Sequence, residues 1–268
     1  MSIISITDTS YFSAYKKQCK PLPNTIWKQF ANLAEYPTIS FARQSSAVFS
    51  SRIEGVEIDL NFYLNSRLTN AKGISAETRK TLAWVEALEE AYLFAEKHVL
   101  NERNFLKVHF MMSKFMDNPR ERGAYRRVPV VIGGRSMIVY RPLPPENVAS
   151  AMQEFWRDIK ILLKTTLSPE KALYHASLIH LVFEKTHPFS DGNGRIGRLL
   201  EKWFLAHHCG SLAWKVTSEA YYEQERQHYY ASLKALGNQY DTLNFEHSIP
   251  FLLMLPKAIQ SEIVSLGE

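Results

Sequence analysis

Apolar residues recur along this chain mostly at helical spacing and divide it into a succession of helices. Ile26, Phe30 and Leu33 mark a short one, stopped by Pro37. Phe41, Ala42, Ser45, Val48, Phe49 and Ile53 mark the next, from Ile39 to Ile53, with Gly55 as its stop. Leu60, Leu64 and Leu68 step by four through residues 56–72, read as helix or turn, and Gly73 ends them. A long helix follows from Ser75 to Val99 on Leu82, Val85, Leu88, Tyr92 and Ala95. Asn101 to Met116 is another, on Leu106, Phe110, Met111 and Phe115. His109 falls among these apolar residues and reads as a core residue without a chemical role. Residues 1–23, mixed polar and aromatic and ending in Pro21-Leu22-Pro23, read as an arm over the body.

The period changes between Gly123 and Tyr140. Val128 to Ile132 and Met137 to Tyr140 flank Gly133-Gly134, which predicts a β-hairpin, and Pro129 places its strand at an edge. Helical spacing returns after Pro144-Pro145 with Val148, Met152, Phe155, Trp156, Ile159 and Leu163. Ser168-Pro169 starts the helix that runs to about Glu184. Ser218 to Leu236 predicts one aromatic-rich helix, and Ile249 to Leu266 a last one interrupted at Pro256. The fold class is therefore mainly α, a compact helical bundle carrying one hairpin. We divide it into an N-terminal helical region (1–100) and a core with the C-terminal helices (101–268), packed as one body.

Composition narrows the function classes. The 268 residues are 46% hydrophobic and 22% charged, with a formal charge of +5, ordinary values for a globular protein. The densest basic cluster, Arg120, Arg122, Arg126 and Arg127, is broken by Glu121, so nucleic acid is disfavoured as a partner. Cys19 and Cys209 have no metal-ligand spacing and suit a reducing compartment. The amino end does not read as a signal peptide. No apolar run approaches the ~20 residues that span a bilayer, so we expect a cytoplasmic protein without a membrane partner; a homo-oligomer is left open.

The candidate chemistry is concentrated in His187-Pro-Phe-Ser-Asp-Gly-Asn-Gly-Arg-Ile-Gly-Arg198. Gly192-Asn193-Gly194 lets the backbone turn sharply and brings N–H groups to a ligand. The turn feeds a helix whose first turns carry Arg195 and Arg198, three apart and on the side opposite much of the apolar stripe. That arrangement binds anions, and two adjacent phosphates suit it. Asp191 can hold the hard cation, Mg²⁺, that accompanies polyphosphates. His187 stands at the rim as a general base.

These residues resemble the signature of the Fic family, H-x-F-x-[DE]-G-N-G-R-x-x-R, at every fixed position. The resemblance implies the Fic fold and a protein adenylyltransferase. Such an enzyme transfers AMP from ATP to a Ser, Thr or Tyr hydroxyl of a target protein, or of itself, and releases pyrophosphate. It implies His187 as base, Asp191 as Mg²⁺ ligand, and ATP bound by Gly192, Asn193, Gly194, Arg195, Gly197 and Arg198, with Arg198 on the γ-phosphate. Ser50-Ser51-Arg52-Ile53-Glu54-Gly55 resembles the family's inhibitory motif [ST]-x-x-x-E-[GN], with Ser50, Glu54 and Gly55 at its fixed positions. It lies in a helix over about 39–55, and Glu54 would compete with ATP for Arg198. A carboxylate and a phosphate want the same guanidinium, so the charge logic holds without the family. The hairpin at 128–140 resembles the Fic flap, on which a target segment docks, with Ile132, Gly133, Gly134 and Arg135 at its tip. Tyr229 and Asn238 correspond to family residues near the base. Two alternatives keep the site: removal of AMP from a modified protein, or a nucleotide-binding regulatory module without transfer.

Overall fold

The computed structural model describes residues 4–32, 37–69, 73–116, 118–134 and 137–267. Its N-terminal elements are α1 (Phe12–Gln18), α2 (Pro23–Asn32), α3 (Ile39–Ile53), α4 (Leu60–Thr69), α5 (Ala76–Lys97) and α6 (Glu102–Met112). A hairpin, β1 (Ile132–Gly134) and β2 (Met137–Tyr140), precedes α7 (Pro145–Lys164), α8 (Pro169–Thr186) and α9 (Asn193–Cys209). The chain closes with α10 (Ser218–Gln224), α11 (Arg226–Ala235), α12 (Ile249–Leu252) and α13 (Met254–Gly267).

α8 is buried around its whole circumference from Ala172 to Thr186, which makes it the central helix of the bundle. α9 packs along it. Gly197 permits the approach: a Cβ there would lie 2.9 Å from Glu184 Oε1 and 3.2 Å from Phe183 Cδ1. One hydrophobic core runs from Ile6 and Tyr15 through α5, α8 and α9 to Ile259.

α3 has the bounds its sequence predicts. The Thr38 hydroxyl accepts from Phe41 N–H at 3.2 Å, a side-chain N-cap. At the other end Gly55 takes φ +88°, and two bonds close the helix: Gly55 N–H to Arg52 O (2.9 Å) and Val56 N–H to Ser51 O (3.1 Å). That pair satisfies carbonyls the helix would otherwise leave open. Glu54 is thereby the cap residue, held at a defined place at the end of α3.

Several expectations are corrected. Within the segment read as an arm over the body, α1 is regular structure, and Tyr15 is fully buried in edge-on ring contact with Tyr174 at 5.4 Å. Among the described side chains of α4 the fully buried one is Tyr63, whose hydroxyl donates to Glu89 at 2.7 Å, while Leu60 and Leu64 are only partly buried. On α6 the inward residues are Phe105, Val108, His109 and Met112, while Phe110 is exposed. β1 starts at Ile132 and not at Val128. Gly133 and Gly134 pair with Ile138 and Met137, so they are strand residues and not the turn. The expected helix from Ser218 breaks at Glu225 into α10 and α11. The last one breaks at Leu253, and Pro256 sits in the first turn of α13, where its missing N–H costs nothing.

Candidate active site

The loop after α8 is held by three anchors. His187 caps α8 in the left-handed region (φ 49°, ψ 60°), a conformation that strains a non-glycine residue. Buried Arg126 fixes it from outside: Nε donates to His187 O (2.8 Å), and the Arg126 N–H donates to Pro188 O (2.9 Å). Its other guanidinium nitrogens reach Val128 O (3.2 Å) and Leu143 O (2.5 Å), on either side of the hairpin. One arginine thus ties flap and loop together, a role that its place in the basic cluster did not suggest.

The second anchor is Phe189, fully buried and stacked on His109 with ring centroids 3.7 Å apart and planes 6° apart. His109 Nδ1 accepts from Gly123 N–H (2.9 Å), which leaves Nε2–H to donate to Asp191 O (3.1 Å). Burial lowers the His109 pKa to about 4, so this tautomer persists at neutral pH. The third anchor is Asn193, whose carboxamide accepts from Phe189 N–H (2.9 Å) and donates to Phe189 O (2.8 Å). Gly192 then turns at φ +80°. The first helical bond of α9 is Ile196 N–H to Gly192 O at 3.0 Å, so the N–H groups of Asn193, Gly194 and Arg195 have no intrahelical acceptor. Their partial positive charge faces the loop.

A cavity of about 710 Å³ opens above that terminus, lined by Glu54, Ile132, Gly133, Glu184, His187, Gly194, Arg198, Tyr229, Tyr230 and Gly237, among others. Its size suits a nucleotide. Arg198 is fully buried and does not belong to a solvated basic face. Its Nη2 donates to Glu54 Oε1 (2.8 Å) and to Ser50 O (3.0 Å), and its Nε to Ser50 Oγ (2.9 Å). A Cβ on Gly194 would collide with the Glu54 carboxylate. That carboxylate therefore lies directly over the first turn of α9, where an anion is most stabilised. Burial lowers the His187 pKa to about 4, so the imidazole is neutral at pH 7 and able to take a proton.

The remaining expected residues divide. Asp191 and Arg195 pair with each other at 3.0 Å and line a neighbouring hollow of about 560 Å³. The Asp191 carboxylate also accepts from Gly192 N–H at 2.6 Å and stays largely exposed. No cluster of three His, Cys, Asp or Glu able to hold a metal occurs among the described residues. A cation here has one protein carboxylate and needs a polyphosphate for its other oxygens, which is how Mg²⁺ is commonly held. Gly192 and Asn193 shape the loop from behind, and Gly197 faces α8. Gly134 is not in the lining, Asn238 is exposed and outside it, and Arg135 lies outside the described residues.

Tyr229 is buried, with its hydroxyl 3.0 Å from His180 Nε2; His180 Nδ1 is 2.9 Å from Glu201. The sequence reading missed Glu184 and Lys185, one turn before His187. Glu184 is buried, its pKa raised by desolvation. Lys185 is lowered to about 8 by burial, with its ammonium 4.1 Å from the Tyr140 ring centroid. Their spacing from His187 was the available signal.

Among known proteins, residues 99–205 match the model of the Fic/DOC family. The protein adenylyltransferase Fic of Drosophila sechellia is 36% identical over 105 residues, 38% of this chain and 19% of that protein. The matched segment is thus about a fifth of the relative's length. A Fic family protein from Desulfovibrio desulfuricans superposes with a TM-score of 0.70 at 20% identity, covering 94% of this chain and 77% of that one. A Fic domain containing signaling protein from Bacteroides thetaiotaomicron gives 0.71 at 16% identity, covering 91% and 94%. No described helix is long and apolar enough to cross a membrane. The full signature lies at the end of the segment, residues 99–205, that matches the Fic/DOC family model, and the helical fold around it is the one the two solved structures share.

Proposed function

We propose that this protein is an adenylyltransferase that moves AMP from ATP to a hydroxyl of a target protein and is held inactive by Glu54. The observation that carries this reading is the Glu54 carboxylate on Arg198, 2.8 Å away and over Gly194, in the same cavity as His187. A protein carboxylate on an anion cradle beside a neutral imidazole is what a competitor for a phosphate would look like.

The roles follow from position. The first-turn N–H groups of α9 stabilise charge on the phosphate being attacked, and Arg198 takes the terminal phosphate once Glu54 leaves it. His187 accepts the proton of the attacking hydroxyl, with pyrophosphate as the leaving group. Asn193 acts through Phe189 as a positioning residue, because both ends of its carboxamide are engaged there. Asp191 would hold Mg²⁺, which supplies charge neutralisation on the phosphates when bound. A target segment would align along the flap, close to Ile132 and Gly133. Tyr229 and Tyr230 suit the base and ribose, and the name of the Drosophila relative supports adenylyl transfer as the reaction.

The test is transfer of labelled AMP from ATP to protein, in the chain itself or a lysate. Glu54→Gly should raise incorporation, and adding His187→Ala should abolish it. Unchanged incorporation in Glu54→Gly would overturn the inhibitory role, and loss of a phosphodiesterase activity in that variant would favour AMP removal.

A further inference from the structure

We infer that α3 builds the nucleotide site as well as blocking it, with Ser50 as a positioning residue that orients Arg198 for the distal phosphate of ATP. This rests on the proposed function above. Arg198 is fully buried, and among the described residues three of its hydrogen bonds go to α3 or its cap. Only one of the three involves Glu54. The other two, from Nε to Ser50 Oγ at 2.9 Å and from Nη2 to Ser50 O at 3.0 Å, hold one edge of the guanidinium whether or not Glu54 is present. Among the described residues Nη1 has no acceptor, and it faces Gly194: a Cβ there would lie 3.1 Å from it. A guanidinium fixed by Ser50 through Nε and one N–H of Nη2 presents Nη1 and the other N–H of Nη2 in one plane, the geometry a phosphate reads best.

The rest of α3 is anchored independently of Glu54. Ser46, fully buried, accepts from Lys202 Nζ (2.6 Å) and donates to Glu219 (2.8 Å), and Tyr92 donates to the same Glu219 (2.7 Å). Arg52 pairs with Glu223 at 2.9 Å. The Tyr230 hydroxyl donates to Ile53 O at 3.1 Å, so α3 also places a wall of the cavity. Breaking the Glu54 contact costs one hydrogen bond to a partly exposed carboxylate (34% exposed). Lifting the helix would strip buried Arg198 of all three acceptors and take Ser46 out of the buried Lys202–Glu219 pair, which is far more costly. The switch is therefore the Glu54 side chain, and α3 stays in place during turnover.

The experiment measures the affinities of ATP and AMP by calorimetry in the full chain, on the Glu54→Gly background. AMP lacks the distal phosphates, so it reports on the intact cavity without reading Arg198. Adding Ser50→Ala should weaken ATP by roughly tenfold, the worth of one hydrogen bond to a charged group, and leave AMP unchanged; Ser50→Thr, which keeps the hydroxyl, should restore ATP. An unchanged ATP-to-AMP ratio in Ser50→Ala would overturn the inference, as would Ser50→Ala alone activating the enzyme like Glu54→Gly. Failure of Glu54→Gly itself to bind ATP better than the unaltered chain is a separate outcome, which counts against the proposed function instead.

Discussion

Replacing His109 probes how the loop between α8 and α9 is held. His109 is fully buried, stacks on Phe189 and bonds to both Gly123 N–H and Asp191 O. His109→Phe keeps the ring, its volume and the stack, and deletes only the two hydrogen bonds. An unsatisfied buried polar group costs about 1–3 kcal/mol. Gly123 N–H bears that cost in full, because Gly123 packs against Leu106 O and Phe110, whereas Asp191 O lies at a partly exposed loop and can turn to water. The stability loss should therefore be roughly 2–3 kcal/mol, read from urea or guanidinium unfolding. The released Asp191 peptide should also misplace its carboxylate and the turn at Gly192. In a Glu54→Gly background, AMP incorporation at saturating ATP should fall about tenfold. Full activity with lowered stability would refute the positioning role; unchanged stability would refute the value placed on the two bonds.

Acid should destabilise the protein through the same residue. His109 and His187 are both held at about 4, mainly by burial, against 6.5 for a free histidine. As pH falls below 6.5 the unfolded chain takes up these protons first, so these two residues should make stability drop between pH 6.5 and 4. Denaturant midpoints across that range check this, and His109→Phe should remove about one proton from the slope. Gly197→Ala should lower stability by about 1 kcal/mol in the same assay. The new Cβ crowds Phe183 Cδ1 (3.2 Å) and His180 Cδ2 (3.3 Å), partly offset by the better helix propensity of alanine. A stabilised Gly197→Ala would show that α8 and α9 are not closely packed there.

What was legible in the sequence was local. Gly55 was legible as the stop of α3 because a left-handed glycine acts within a few residues. The signature was legible because turn, carboxylate and arginines lie within twelve positions. The inward face of α6 was not, since Leu106, Phe110 and Met111 form as good a stripe as Phe105, Val108 and Met112. Contacts with Trp156, Phe183 and Phe189 decided between them. Gly133-Gly134 resembled a turn dipeptide, yet strand pairing claimed both. His109 is the buried core residue its place in the stripe predicts, but its bond to the loop, like that of Arg126, was not legible because the partners lie 82 and 61 positions away. Glu54 and Arg198, 144 apart, were linked in advance through the family motif, whereas the bonds between Ser50 and Arg198 were not read.

The measurement that bears most directly on Glu54 as competitor is ATP affinity compared with AMP affinity, in the unaltered chain and in Glu54→Gly. Competition for Arg198 predicts that the variant binds ATP about tenfold more tightly and AMP as before. Equal ATP affinity in the two proteins, or an equal gain for AMP, would contradict it.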